Sequence, residues 1–364
     1  MPEQTSTNPH ITAWLNHIRA LAVEIGPRGP TRPGERQGAE YAKAQLEKMG
    51  LQPTLETFSS ARSIFHPHLL GSALMLLAFV LFPLGGKLTA ALAALLSIFV
   101  LACELLELGF YNNPFRKIIP KGQSQNVFAL IPPKGEHRGD LLLVGHLDSQ
   151  RTPLIFSTHA WVRAYDRFTM LVFATFILQV VLYSLAVFFD LSWAWYATIP
   201  TALCAVLLAA MCLHADATPF TAGANDNASA VGMVLALAEV FARQPLEHTR
   251  VVAVCTGCEE VQHYGMIDFY KRHLGELKNP AAMVFEMLGC ASPAWLLKEG
   301  IIVPFKADPG LVKIAESLAA QHLEWDAHPA LISGGNTEMA DALRRKVPAI
   351  TITGVTREGV WPYW

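Results

Sequence analysis

The chain has 364 residues, with 28 Lys and Arg against 30 Asp and Glu for a net charge of −2, and 52% of it is hydrophobic while only 16% is charged. That balance, with no basic run and no aromatic stripe interleaved with cations, excludes a nucleic-acid partner. The positive mean hydropathy excludes an ordinary soluble enzyme, and six cysteines in a chain this long make no disulfide framework.

From Met1 to Gly26 there is no apolar core of signal-peptide type. The hydrophobic excess is concentrated in four stretches without Asp, Glu, Lys or Arg: Ser63 to Gly86, Leu88 to Cys103, Phe168 to Phe189, and Leu191 to Ala215. About 20 mostly apolar residues cross a bilayer as a helix, so these predict four transmembrane helices, with buried core helices as the alternative. The second stretch is the shortest, and Glu104 and Glu107 just beyond it are expected at the interface or facing a neighbouring helix. The helices pair as two hairpins, turned by Pro83 to Thr89 and by Phe188 to Trp193.

This divides the chain into soluble parts at 1–65, 111–164 and 216–364, with membrane hairpins at 66–110 and 165–215 between them. Each hairpin returns the chain to its starting side, so all soluble parts share one face of the bilayer. That side carries Arg62, Arg116, Lys117, Lys121, Arg151, Arg163 and Arg167 near helix ends, against Lys87 opposite. The positive-inside rule then predicts an integral protein of an inner or plasma membrane with its soluble parts in the cytoplasm.

Within the soluble parts, the apolar run Leu141 to Val144 reads as a strand, followed at once by His146 and Asp148. Residues i and i+2 of an extended chain share a face, so the Asp148 carboxylate is placed to hydrogen-bond the His146 imidazole and fix its tautomer, a metal-liganding pattern. Next, Asp226 precedes an amphipathic helix, where an N-cap role for it or for Asn225 is the plain alternative. Thr249 to Cys255 reads as a buried strand that runs into Glu259 and Glu260. Adjacent side chains diverge, so one carboxylate can bind a metal while the other handles protons; a solvated helix start is the plain alternative. Glu286 ends a further strand. Together these segments gather around the carboxyl ends of strands, where open α/β sheets build their sites. Cys255 and Cys258 form a lone CxxC and read as small buried residues flanking this loop.

In order, spacing and strand context, the His146-x-Asp148 pair, the stretch Gly223 to Gly232, Gly257 to Glu260 and Val284 to Gly289 resemble the co-catalytic zinc aminopeptidases of metallopeptidase family 28. Arg32 to Phe58 is similar to that family's opening helix and first strand. The resemblance implies a three-layer α/β sheet with helices on both faces, here with four transmembrane helices inserted as two hairpins. It also implies two zinc ions in a complete site. His146 and Glu286 would hold one, Asp226 would bridge, Glu260 would hold the second, and Glu259 would be the general base, with Asp148 supporting His146. Glu286 stands where the family often has Asp, and either ligates zinc. A cis peptide is implied between Asp226 and Asn227.

The family pattern ends with a His ligand beyond the last strand, and none follows Ala349 to Gly354 in this sequence. His322 and His328 precede that strand and read as ordinary surface or core histidines. The expectation is therefore one well-held zinc in this chain, a second held only by Glu260 and Asp226, and weak or absent turnover. The implied reaction is hydrolysis of the N-terminal bond of a peptide substrate at a lipid bilayer. Glutaminyl-cyclase-like acyl transfer and a non-catalytic membrane receptor or scaffold are the alternatives.

Overall fold

A computed structural model of the chain describes residues 8–332 and 334–361. They divide into two units, one of residues 8–61, 121–150, 220–332 and 334–361, the other of Arg62–Pro120 and Arg151–Pro219.

Among the described residues, the first unit is built on nine strands: β1 (Thr54–Ala61), β2 (Lys121–Ile131), β3 (Gly139–His146), β4 (Thr249–Thr256), β5 (Ala281–Glu286), β6 (Ser292–Glu299), β7 (Phe305–Lys306), β8 (His328–Leu331) and β9 (Ala349–Val355). They form one mixed sheet in the order β1-β2-β4-β3-β5-β9-β6-β7, with β8 paired to β6. Its centre, β4-β3-β5-β9, is parallel, which sends four carboxyl ends to one edge. There His146 pairs with Thr256 and Glu286 with Thr353.

Alternation along the central strands loads both faces. Leu142, Val144, Val252, Val254 and Val284 point to one side, where Met266 and Phe269 of the helix Tyr264–His273 and Met339 of Met339–Arg344 meet them. Leu143, Val251 and Ala253 point to the other, against Ala39, Ala42 and Leu46 of Pro33–Lys48 and Val231, Val234 and Leu235 of Ser229–Arg243. A strand covered on both faces reads as a continuous apolar run, as these do. The expected sheet with helices on both sides is the architecture found.

The second unit holds four helices long and apolar enough to cross a membrane: Phe65–Leu84, Gly86–Leu108, His159–Ala186 and Ile199–Ala217. Their outward faces expose large apolar side chains, among them Val80, Leu95, Met170 and Leu203. Inside, Ala78, Ala90, Ala93 and Ala94 are buried, and residues this small let helix backbones approach closely. Some buried polar groups pair within the bundle: Gln179 Nε2 donates to Met75 O (3.2 Å) and Ser97 Oγ (3.1 Å), and Thr201 Oγ1 donates to Thr175 O (2.9 Å). Glu104 and Glu107 are buried. Glu104 Oε2 lies 2.6 Å from His68 Nδ1, while Glu107 accepts from Arg116 Nε at 3.0 Å and from the Asn113 amide. Gly71 makes room for this, since a Cβ there would lie 2.2 Å from Glu104 Oε1. The fourth helix begins at Ile199, later than the charge-free stretch from Leu191, whose first residues form a separate turn, Ala194–Ala197.

Candidate metal centre

Four chain segments converge at the carboxyl edge of the parallel strands. His146 ends β3, Glu286 ends β5, Glu259 and Glu260 follow β4, and Asp226 lies in the turn Ala224–Ala228 that leads into the helix Ser229–Arg243. His146 Nε2 is 3.3 Å from Asp226 Oδ1, 3.6 Å from Glu286 Oε2 and 3.7 Å from Glu259 Oε2. Ligand atoms of His146, Asp226 and Glu260 all lie within 4.8 Å of one another, as do those of His146, Glu259 and Glu286. Five of the six residues taken from the sequence for this chemistry therefore share one cluster, which as it stands does not separate into two distinct metal positions.

The plain alternatives for these residues do not describe the site. Asp226 has extended backbone angles (φ −112°, ψ 93°) and faces His146, while Asn227 Oδ1 accepts from Ala230 N (3.3 Å) in the manner of a cap. The Asp226–Asn227 peptide is cis. Glu259 and Glu260 precede the first helical residue, Tyr264, and turn inward. Asn227 Nδ2 also donates to Glu286 Oε2 (3.1 Å), and Gln150 Nε2 donates to Glu260 Oε2 (2.8 Å).

Asp148 acts chiefly on the neighbouring loop. Its two carboxylate oxygens accept from the backbone N–H groups of Glu259 and Glu260, each at 3.0 Å. The closest contact to His146 Nδ1 is the backbone carbonyl of Asp148 at 3.1 Å, with the carboxylate at 3.5 Å. A ring nitrogen bonded to a carbonyl carries a proton there, which makes Nε2 the nitrogen that would face a metal.

The site is crowded with buried acids. Burial, then Asp226 and Glu259, push Glu260 far above the ordinary carboxylate range. Burial raises Glu286 to about 8, against the opposing pull of His146. Burial would lower the His146 ring, but Glu259 and Glu286 outweigh it and hold its pKa well above the usual histidine value. Such a concentration of negative charge is costly unless a cation balances it. Glu260 Oε1 is buried, and no hydrogen-bond donor among the described residues reaches it. One imidazole nitrogen and several carboxylate oxygens form the donor set zinc takes in catalytic sites, so these residues fit that metal.

Three further residues shape the site and carry no pattern in the sequence reading. Arg28 is fully buried, and five carbonyl oxygens surround its guanidinium: Nε donates to Leu147 O (2.7 Å), Nη1 to Leu21 O, Gly26 O and Ala222 O (2.8, 3.0 and 2.8 Å), and Nη2 to Gly223 O (2.8 Å). It thereby ties the loop after His146 to the loop before Asp226. Gly223 adopts φ +61°, and a Cβ there would lie 2.8 Å from Arg28 Nη2. Glu35, also buried, accepts from Cys258 N (2.8 Å), Ser124 Oγ (3.0 Å) and Thr31 N (2.8 Å), fixing the loop that carries Glu259. Burial and Asp148 raise its pKa to about 8. The third is His263, whose Nε2 lies 3.1 Å from Glu259 Oε1.

Cys255 and Cys258 are free and buried under the same loop. His322 is exposed and stacks on Trp325 (centroids 4.0 Å apart), whereas His328 is buried at the start of β8; neither enters the cluster.

No curated protein matches the chain. Solved structures share its fold. A zinc aminopeptidase from Bacillus subtilis aligns at 12% identity and TM-score 0.54, covering 98% of this chain and 88% of that one. A glutaminyl cyclase from Bacteroides thetaiotaomicron aligns at 13% and 0.53, with the same coverage. An aminopeptidase from Legionella pneumophila aligns at 10% and 0.51 over 97% of this chain, which spans 63% of that enzyme's length. Residues 202–361, which include Asp226, Glu259, Glu260 and Glu286 while His146 lies upstream, match a family profile described as Peptidase family M28. The stretch 202–361 is thus similar to peptidase family M28, and the sheet is of the kind found in zinc aminopeptidases and glutaminyl cyclases.

Proposed function

We propose that this chain is a zinc-dependent aminopeptidase acting on peptides at a membrane surface. The observation that carries the reading is the buried convergence of His146, Asp226, Glu260 and Glu286 with Glu259 turned toward them. His146, Asp226, Glu260 and Glu286 would hold the zinc. Bound zinc supplies a water acidic enough to be deprotonated at neutral pH and a Lewis acid for the scissile carbonyl.

The chain's own residues do the rest. Glu259 Oε2 lies on the His146 side, so Glu259 takes the proton of the attacking water and passes it to the leaving amine. The Asp148 carboxylate, by accepting from the amides of both Glu259 and Glu260, fixes the backbone from which base and ligand project. Gln150 and Asn227 orient the carboxylates of Glu260 and Glu286. Outer-shell bonds of this kind fix ligand rotamers and tune metal affinity.

The four apolar helices, with exposed Leu, Val and Met faces, are read as two membrane hairpins. The basic residues Arg62, Arg116, Lys117, Lys121, Arg151, Arg163 and Arg167 favour a cytoplasmic position for the catalytic unit. The test is zinc content together with hydrolysis of aminoacyl amides by the purified chain. A protein that binds no zinc and cleaves none of them refutes the reading. Likeness to glutaminyl cyclases favours one second reading, cyclising acyl transfer. A peptide with N-terminal Gln separates the two, because cyclisation releases ammonia and leaves the peptide bond intact.

A further inference from the structure

Glu259 and His263 lie in the loop between β4 and the helix Tyr264–His273, and Asp341 lies in the helix Met339–Arg344. The two oxygens of Glu259 face different ways. Oε2 lies 3.7 Å from His146 Nε2, on the ligand side, whereas Oε1 lies 3.1 Å from His263 Nε2. The other ring nitrogen, Nδ1, is 2.6 Å from Asp341 Oδ2. His263 and Asp341 are both buried, at 2% and 3% exposure. Asp341 is anchored in turn, since Arg345 Nη1 donates to its Oδ1 (3.3 Å) and to its backbone carbonyl (2.8 Å). The ring reaches Glu259 because the loop turns sharply: Gln262 and His263 both take positive φ (83° and 58°), and His263 N donates to Glu259 O at 2.9 Å.

We propose that His263, held by Asp341, is a positioning residue that aims the carboxylate of Glu259. The inference rests on the peptidase reading, in which Glu259 is the base. A glutamate has three rotatable side-chain bonds, and its carboxylate is a useful base only in the orientation that points one oxygen at the attacking water. Asp341 fixes the imidazole from behind, Nε2 binds Oε1, and Oε2 is left toward the ligands. Carboxylate, imidazole and carboxylate thus form a chain that ends on the base. A misplacement of about 1 Å in such a group costs on the order of 100-fold in rate, and a loss confined to orientation falls on kcat.

The test uses the full chain loaded with zinc. His263→Ala is expected to keep the wild-type zinc content and KM while kcat falls roughly 10- to 100-fold. His263→Gln, whose amide nitrogen can stand near the position of Nε2, should recover most of that loss, and His263→Asn, whose amide matches only Nδ1, should not. Wild-type turnover in His263→Ala overturns the proposal, as does loss of zinc from it, which would make His263 a ligand. A second arm is independent of turnover: proton NMR of the metal-free, histidine-labelled chain should show a downfield ring N–H signal of His263 that moves in Glu259→Gln and disappears in Asp341→Ala. A signal indifferent to both replacements overturns the pairing. Full activity in Glu259→Gln with that signal behaving as expected would instead reject the peptidase reading of Glu259 and leave the contact in place.

Discussion

Arg28→Lys tests how the ligand-bearing loops are held. The guanidinium faces five carbonyl oxygens at 2.7–3.0 Å, in a site with no exposure to solvent. An ammonium offers only three donors, so at least two of those carbonyls lose their partner. Each buried acceptor left unpaired costs about 1–3 kcal/mol, which gives about 2–6 kcal/mol for the replacement. For a domain of roughly 150–250 residues, 1 kcal/mol moves the melting temperature by about 2–4 °C, so a fall of roughly 5–20 °C is expected. The damage is directional as well, because Leu147 follows His146 while Ala222 and Gly223 lead into the turn that carries Asp226. Zinc affinity should therefore fall with stability, and excess zinc should restore part of the melting temperature by mass action. Thermal unfolding with and without zinc, combined with a chelator competition, measures both. An Arg28→Lys protein with wild-type melting temperature and zinc affinity would refute the clamp.

Glu259→Gln should lower turnover by about 100- to 10,000-fold with zinc content unchanged, measured by metal analysis and aminoacyl-amide hydrolysis; near-native hydrolysis would remove Glu259 from the role of base. Chelation should abolish turnover and lower the melting temperature, with both restored by added zinc, and a melting curve indifferent to chelator would argue against a metal bound to the folded state. Burial raises Glu299 to about 8, where its oxygens accept from Thr337 Oγ1 (2.8 Å) and Ala340 N (3.1 Å). Its native pKa lies above the unfolded one, so its contribution to stability is complete below about pH 4.5 and is lost as pH rises through about 8. Glu299→Gln, which mimics the neutral form, should accordingly raise the melting temperature more at about pH 8 than at about pH 5, and an equal effect at both would contradict the assignment. Cysteine labelling should report Lys87 and Asp190 on one side of the bilayer and Arg62, Lys121 and Asp226 on the other; a split between positions 146 and 226 would be incompatible with a shared metal centre.

His146, Asp226, Glu259, Glu260 and Glu286 were legible because each follows or precedes a segment whose hydrophobic period is plain, and strand ends in a parallel sheet share one edge. The four apolar helices were legible from the length of their charge-free stretches, although the start of the fourth was not: residues before Ile199 are apolar yet turn separately, with Pro200 in the helix's first turn. Arg28 left no trace in the sequence because its partners are backbone carbonyls, which every residue possesses. His263 was missed because its reach to Glu259 depends on two consecutive positive φ angles at non-glycine residues, which side-chain identity does not signal. Asp148 lies beside the cluster as the sequence suggests, but period-two geometry points it at His146 when the amides of Glu259 and Glu260 are closer donors.

Those amides have a consequence for local opening. Three consecutive N–H groups after β4 are held by two buried acids on distant segments: Cys258 N–H by Glu35, and Glu259 and Glu260 N–H by Asp148. Each can exchange with solvent deuterium only when the loop lifts away from the carboxylate that holds it, and three adjacent residues of one short loop lift together. The protons should therefore exchange together, at one rate set by one opening free energy, and should behave as a single cooperative unit of the native state.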